Sequence, residues 1–209
     1  GQYHVQEHYR NGYVRSDGAI VRGTHVKSHC KLLTNGYQYS KKRFKKGIPP
    51  DWPHSQEKVG SWTEAEKERI RGALEELPEI LLSDSVSGIY RLKKSKDHPN
   101  PATSSKGIIV IYDSGFDSSK NLERVLSHEF AHQIELEPDG KIYWARRKES
   151  YIEDDGGSSH EEDYANNLEH FLYNPDKLKK VTPEAYAWIR KHFGESFKLK
   201  KGKKWSLEL

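Results

Sequence analysis

His128-Glu129-Phe130-Ala131-His132 is the stretch on which the reading of this 209-residue chain turns. On an α-helix, residues i and i+4 share a face, so two imidazoles at this spacing can grip one metal ion. The pattern H-E-x-x-H adds Glu129, placed beside them to take a proton from water. Five residues can also match by accident on a solvated helix, so the surroundings decide. Upstream, Gly107-Ile108-Ile109-Val110-Ile111-Tyr112-Asp113 reads as a β-branched strand bounded by Gly and Asp. A helix is then expected from about Ser118–Asn121 to about Glu135, with Leu122, Val125 and Leu126 turned to a core. The order strand, loop, H-E-x-x-H helix favours a site.

A catalytic zinc takes three protein ligands and keeps a fourth position open. The third ligand is expected from Ser158 to Leu172, a second helix behind a loop rich in Asp and Gly. Tyr164, Leu168, Phe171 and Leu172 mark its buried stripe. By periodicity Glu161 lies nearest the centre of that stripe and Glu162 at its flank. Acids at a helix start also serve only to complement the macrodipole. His160 is a further alternative, giving a three-histidine site. His170 reads as a surface or supporting residue, and His54, His98 and His192 as ordinary ones.

Outside this centre the chain changes character. Residues 1–47 read as a β-ribbon: Asp17-Gly18 sits between two short alternating runs, the mark of a tight hairpin. His4-Val5-Gln6-Glu7-His8-Tyr9-Arg10 recurs as His25-Val26-Lys27-Ser28-His29-Cys30-Lys31, a duplicated H-V-x-x-H-x-(Arg/Lys). A repeated ribbon, a four-histidine metal site and a partner contact all remain open for it. Three prolines within 48–60 mark that stretch as a linker. Thr63 and Glu66 have capping-box spacing at the head of a helix whose inner stripe is Ile70, Ala73 and Leu74, with Pro78 near its end. Gly88–Leu92 reads as a strand and 97–105 as a polar loop. Thr182-Pro183-Glu184 opens a last helix, Thr as N-cap and Pro at its first position, with Tyr186, Ile189 and Phe193 inward and Gly194 as its stop. Residues 196–209 form a basic tail.

Hydrophobic residues make up 33% of the chain and charged residues 32%, so a core is possible but much of the chain must face water. No apolar run reaches membrane-spanning length, and the first residues are not a signal peptide. A soluble protein is expected, cytoplasmic or exported as an effector. Cys30 is the one cysteine, which excludes an internal disulfide. With no methionine present, Gly1 is not expected to be a native start, and the chain is expected to be a module of something larger. The net charge of +4 draws attention to the basic runs at 41–46 and 198–204, which could contact nucleic acid.

Taken together, H-E-x-x-H and the later Glu162-Asp163-Tyr164-Ala165 resemble the gluzincin metallopeptidases, in particular those similar to the anthrax lethal factor catalytic domain and the peptidase domains of polymorphic toxins. In that family a helix reading roughly Glu-(Asp/Phe)-Phe-Ala-Glu follows the motif, and its first Glu ligates zinc. Tyr164 stands for Phe here, and Asn166 stands where the pattern ends in Glu. Tyr186-Ala187-Trp188-Ile189 to Phe193-Gly194 is similar to the terminal helix of such domains. The resemblance covers roughly 61–195. It implies an α+β, zincin-like metallopeptidase domain with a small mixed sheet, following an N-terminal β-hairpin-rich segment. It also implies Zn2+ held by His128, His132 and Glu162 rather than Glu161. Glu129 becomes the general base, and Tyr151 the candidate oxyanion donor. The implied activity is that of a zinc endopeptidase on a protein or peptide substrate, as a bacterial toxin or effector module. The strand Ile108–Tyr112 is expected to hold an extended peptide at a sheet edge. A nucleic-acid-tethered protease and a non-catalytic zinc-binding module are the alternatives.

Overall fold

A computed structural model describes residues 43–82, 86–96, 100–117, 121–148 and 150–200 fully, and the backbone of six short strands before them. Gly1–Asn35 forms one compact unit and Gly36–Leu209 a second.

In the first unit β1 (Gln2–Val5) pairs with β6 (His29–Leu32), β2 (His8–Arg10) with β5 (Thr24–Val26), and β3 (Tyr13–Val14) with β4 (Ile20–Val21), all antiparallel. The three ladders share one register, that of a single long hairpin. The two copies of the repeat therefore pair with each other, Val5 with His29, His8 with Val26 and Tyr9 with His25. In these ladders no histidine of one copy stands opposite a histidine of the other. The Asp17-Gly18 turn, Lys41, Lys42, His98 and the lysines at 201–204 lie outside the described residues.

The second unit is α+β. Among its described residues the α-helices that carry the core and the site are α1 (Glu64–Glu76), α2 (Leu122–Ala131), α3 (Pro138–Arg146), α4 (His160–Tyr173), α5 (Pro175–Val181) and α6 (Pro183–Phe193). Its sheet runs β7 (Gly88–Arg91), β9 (Ile108–Ile111), β8 (Ala102–Ser105). β7 lies parallel to β9, and β8 antiparallel. The continuous apolar run of β9 follows from burial on both faces. Ile89, Ile109 and Ile111 face the main core, with Ile70 and Leu74 of α1, Leu126 and Phe130 of α2 and Leu168 of α4. Tyr90, Leu92, Val110 and Tyr112 face a second, smaller cluster closed by Trp52.

Three expectations change here. Residues 48–60 do not behave as a linker, because they cover the second face of the sheet. Trp52 is buried, and the buried Glu57 carboxylate accepts from Trp52 Nε1 (3.1 Å), Tyr112 Oη (2.9 Å) and the Lys96 backbone N–H (2.8 Å). The strand Ile108–Tyr112 is not a sheet edge either, since β9 is central. The edge strands are β7 and β8, and β8 lies within the stretch expected as a polar loop. Ala-Thr-Ser-Ser lacks the apolar alternation that signals a strand, because its surroundings are half polar. Among the described residues no helix is long and apolar enough to cross a membrane.

Candidate metal centre

Helix α2 starts where Asn121 Oδ1 accepts from Arg124 N (3.2 Å) and ends at His132, sooner than the expected Glu135. Arg124, His128 and His132 follow at steps of four, so they form one row along the helix. Helix α4 starts where Ser159 Oγ accepts from Glu162 N (3.2 Å). A serine cap of this kind contributes about 1 kcal/mol and fixes the first turn. Glu162 and Glu169, two turns apart, form the facing row.

The rows meet residue by residue. His128 Nε2 lies 3.0 Å from Glu162 Oε2, and His132 Nε2 lies 3.2 Å from Glu162 Oε1. The two Nε2 atoms are 3.2 Å apart. His128 Nδ1 lies 3.3 Å from Glu169 Oε2, while Glu169 Oε1 accepts from Arg124 Nε at 2.7 Å. Arg124 thus faces Glu169 and His132 faces Glu162, which sets α2 and α4 antiparallel. Among the described residues, His128, His132 and Glu162 are the group of His, Cys, Asp or Glu that can hold a metal ion. Donors bound to zinc at 2.0–2.2 Å in a tetrahedron stand about 3.3–3.6 Å apart, slightly wider than the separations above. With Nδ1 of His128 engaged by Glu169, its Nε2 is left for the metal, the usual carboxylate–histidine arrangement. The donor set fits zinc.

Without a metal these groups satisfy one another. Burial disfavours a charged His128, but its hydrogen bonds to Glu162 and Glu169 outweigh that and raise its pKa to about 10. The same bonds from His128 and His132 hold Glu162 far below the usual carboxylate range. Burial pushes the Glu129 carboxyl up, against the pull of His128, His132 and a hydrogen bond from Ser104. Glu129 is 8% exposed yet borders a cleft of about 1550 Å³, whose walls include β8, both histidines, Glu162 and Glu169.

The other sequence candidates fall elsewhere. Glu161 is exposed and bonded to Ser159 Oγ (3.0 Å) and His160 (2.9 Å), so neither Glu161 nor His160 joins the cluster. Periodicity favoured Glu161 because it counted only the apolar stripe. Helix α4 has a second inward side made of Glu162, Asp163, Asn166 and Glu169. Asp163 is buried in a bidentate pair with Arg147 (both N–O distances 2.7 Å). Asn166 donates to Asp155 (2.6 Å). Tyr151 is not brought to the centre. Its hydroxyl donates to the Arg147 carbonyl (3.3 Å), its ring lies against the Arg147 guanidinium, and it does not line the cleft. His170 is no surface residue: it is buried and 2.6 Å from Glu153.

Glu169 and Arg124 were missed in the sequence. Each shares a helix face with a candidate ligand, Glu169 seven residues after Glu162 and Arg124 four before His128, and that spacing was the available signal. Comparison with protein-family models, with curated proteins and with solved structures found no match for the chain.

Proposed function

We propose that this chain is a zinc-dependent endopeptidase of zincin-like, gluzincin type. The observation that carries the reading is Glu129. A purely structural metal site has no use for a carboxylate buried beside three ligand side chains and bordering an open cleft. His128, His132 and Glu162 would hold the ion. Bound there, zinc supplies Lewis acidity, which lowers the pKa of a water and polarises a carbonyl. Glu129 takes the proton from the attacking water and returns it to the leaving amine. Glu169 orients His128.

The substrate seat in this reading is β8 in place of β9. The Tyr112 N–H donates to the Pro101 carbonyl (3.0 Å), which marks 101 and 112 as a bonded pair of the antiparallel ladder. Bonded and non-bonded pairs alternate, so Ala102 and Ser104 turn their N–H and C=O groups away from β9, towards the cleft. An extended peptide can add there as a further strand.

The test is hydrolysis of a mixed-sequence fluorogenic peptide pool by the zinc-loaded chain. Activity should vanish with a chelator, return with zinc, and be absent in Glu129→Gln. Cleavage that persists in zinc-free protein would refute the proposal.

A further inference from the structure

Gln133 follows the second histidine of the motif and has no part in the metal cluster. Its amide reaches across to the turn joining β8 and β9. Gln133 Nε2 donates to the Ser105 carbonyl at 2.8 Å, and its Oε1 accepts from the Gly107 N–H at 2.8 Å. Gly107 has φ +74°, the left-handed conformation that closes this two-residue turn. One side chain thus satisfies a donor and an acceptor on the same turn, a geometry that fixes both distance and orientation. One turn earlier on α2, Glu129 lines the same cleft as Ser104 of β8. The β8–β9 hairpin is therefore stitched to the end of the metal helix by Gln133, through Ser105 and Gly107.

The turn has no other reason to need such a clamp. The β8–β9 ladder already pairs Ser105 with Ile108. What the ladder cannot set is the height of the outer edge of β8 above the metal helix, because the ladder is a hinge about the axis of β9. The two Gln133 hydrogen bonds remove that freedom, and Gln133, Ser105 and Gly107 all border the cleft.

We infer that Gln133 is a positioning residue: it fixes the free edge of β8 over His128, Glu129 and His132 so that a peptide bound to that edge presents its carbonyl to them. The inference rests on the endopeptidase reading. It assigns Gln133 to extended peptides, those long enough to pair with Ala102 and Ser104. Positioning of this kind matters because small misplacements of a bound carbonyl are costly to the reaction.

The experiment uses the zinc-loaded full chain, a long fluorogenic peptide that it cleaves, and a truncated version too short to pair along β8. In Gln133→Ala the advantage of the long peptide over the short one in kcat/KM should fall by about tenfold, with kcat on the long peptide falling rather than KM alone rising. Zinc content should stay at the wild-type level. Gln133→Glu keeps the acceptor for Gly107 but loses the donor to Ser105, so it should fall between, and it carries the test where Gln133→Ala fails to fold. An unchanged long-to-short ratio in these variants, or an equal loss on both peptides, overturns the inference while leaving the endopeptidase reading in place. If zinc-loaded wild type cleaves neither peptide, that reading fails and this one with it.

Discussion

Nδ1 of His128 stands 3.3 Å from Oε2 of Glu169, a residue seven positions beyond Glu162 on the same helix. The contact links an expected ligand to an acid that the H-E-x-x-H pattern does not include. Arg124 holds the other oxygen of that acid at 2.7 Å. The imidazole is thereby fixed in ring orientation and tautomer. Glu169→Ala should weaken zinc binding by about 10–100-fold, measured by competition with a chromophoric chelator. Zinc affinity equal to wild type would remove Glu169 from the account.

Proton linkage follows from the same cluster. The folded pKa of His128 is raised from 6.5 to about 10, so in the metal-free chain its contribution to stability is full below about pH 6.5 and is lost as pH rises towards 10. Glu162 is displaced the other way, so the contact is lost on the acid side only as pH falls below 4.5. The two shifts share the His128–Glu162 contact, which counts once. The melting temperature of metal-free protein should therefore decline between pH 6.5 and pH 10. Zinc needs a neutral imidazole, so its binding at pH 7 should release about one proton. Calorimetry in buffers of different ionisation enthalpy measures this, and binding without proton release would contradict it.

Arg147 and Asp163 form a bidentate pair with side chains 2% and 1% exposed, and Arg147 also donates to Thr182 Oγ1 at 2.6 Å. Removing one partner strands a buried charge. Arg147→Ala should cost about 3–5 kcal/mol in urea unfolding. A loss below about 1 kcal/mol, the scale of an exposed pair, would show that the pair is not buried in solution.

Tyr151 separates the structural account from the family expectation. An oxyanion donor is worth about 10²–10³ in kcat. A hydroxyl committed to the Arg147 carbonyl is worth nothing to the chemistry, so Tyr151→Phe should leave kcat within about a factor of two. Steady-state kinetics on any cleaved peptide decides between them.

Much of the frame was legible because it rests on local rules. Thr63 and Glu66 exchange both bonds of a capping box, as their spacing requires. The strands at 88–91 and 108–111 and the α4 helix stand where the sequence reading put them, and the H-E-x-x-H helix starts where expected but ends a turn early. The rest was illegible for identifiable reasons. Strand β8 is polar because one side of it meets Glu129 and the cleft. Thr182 precedes α6 but makes no side-chain cap, since its hydroxyl is taken by Arg147, thirty-five residues back. Glu162 was separable from Glu161 only by resemblance, because the polar inward side of α4 carries no hydrophobic signal. Helices α3 and α5 were not expected. Each begins at a proline that a sequence reading takes for a break but that serves as a first helical residue.

The central claim is a zinc centre built from His128, His132 and Glu162, and X-ray absorption at the zinc edge tests it most directly. Protein dialysed against zinc should retain one ion per chain, with two imidazole nitrogens and carboxylate or water oxygens at about 2.0–2.2 Å and no sulfur. Glu162→Ala should lose the ion, and Glu129→Gln should keep it with the same spectrum. A sulfur shell, a third imidazole, or full zinc retention in Glu162→Ala would contradict the assignment.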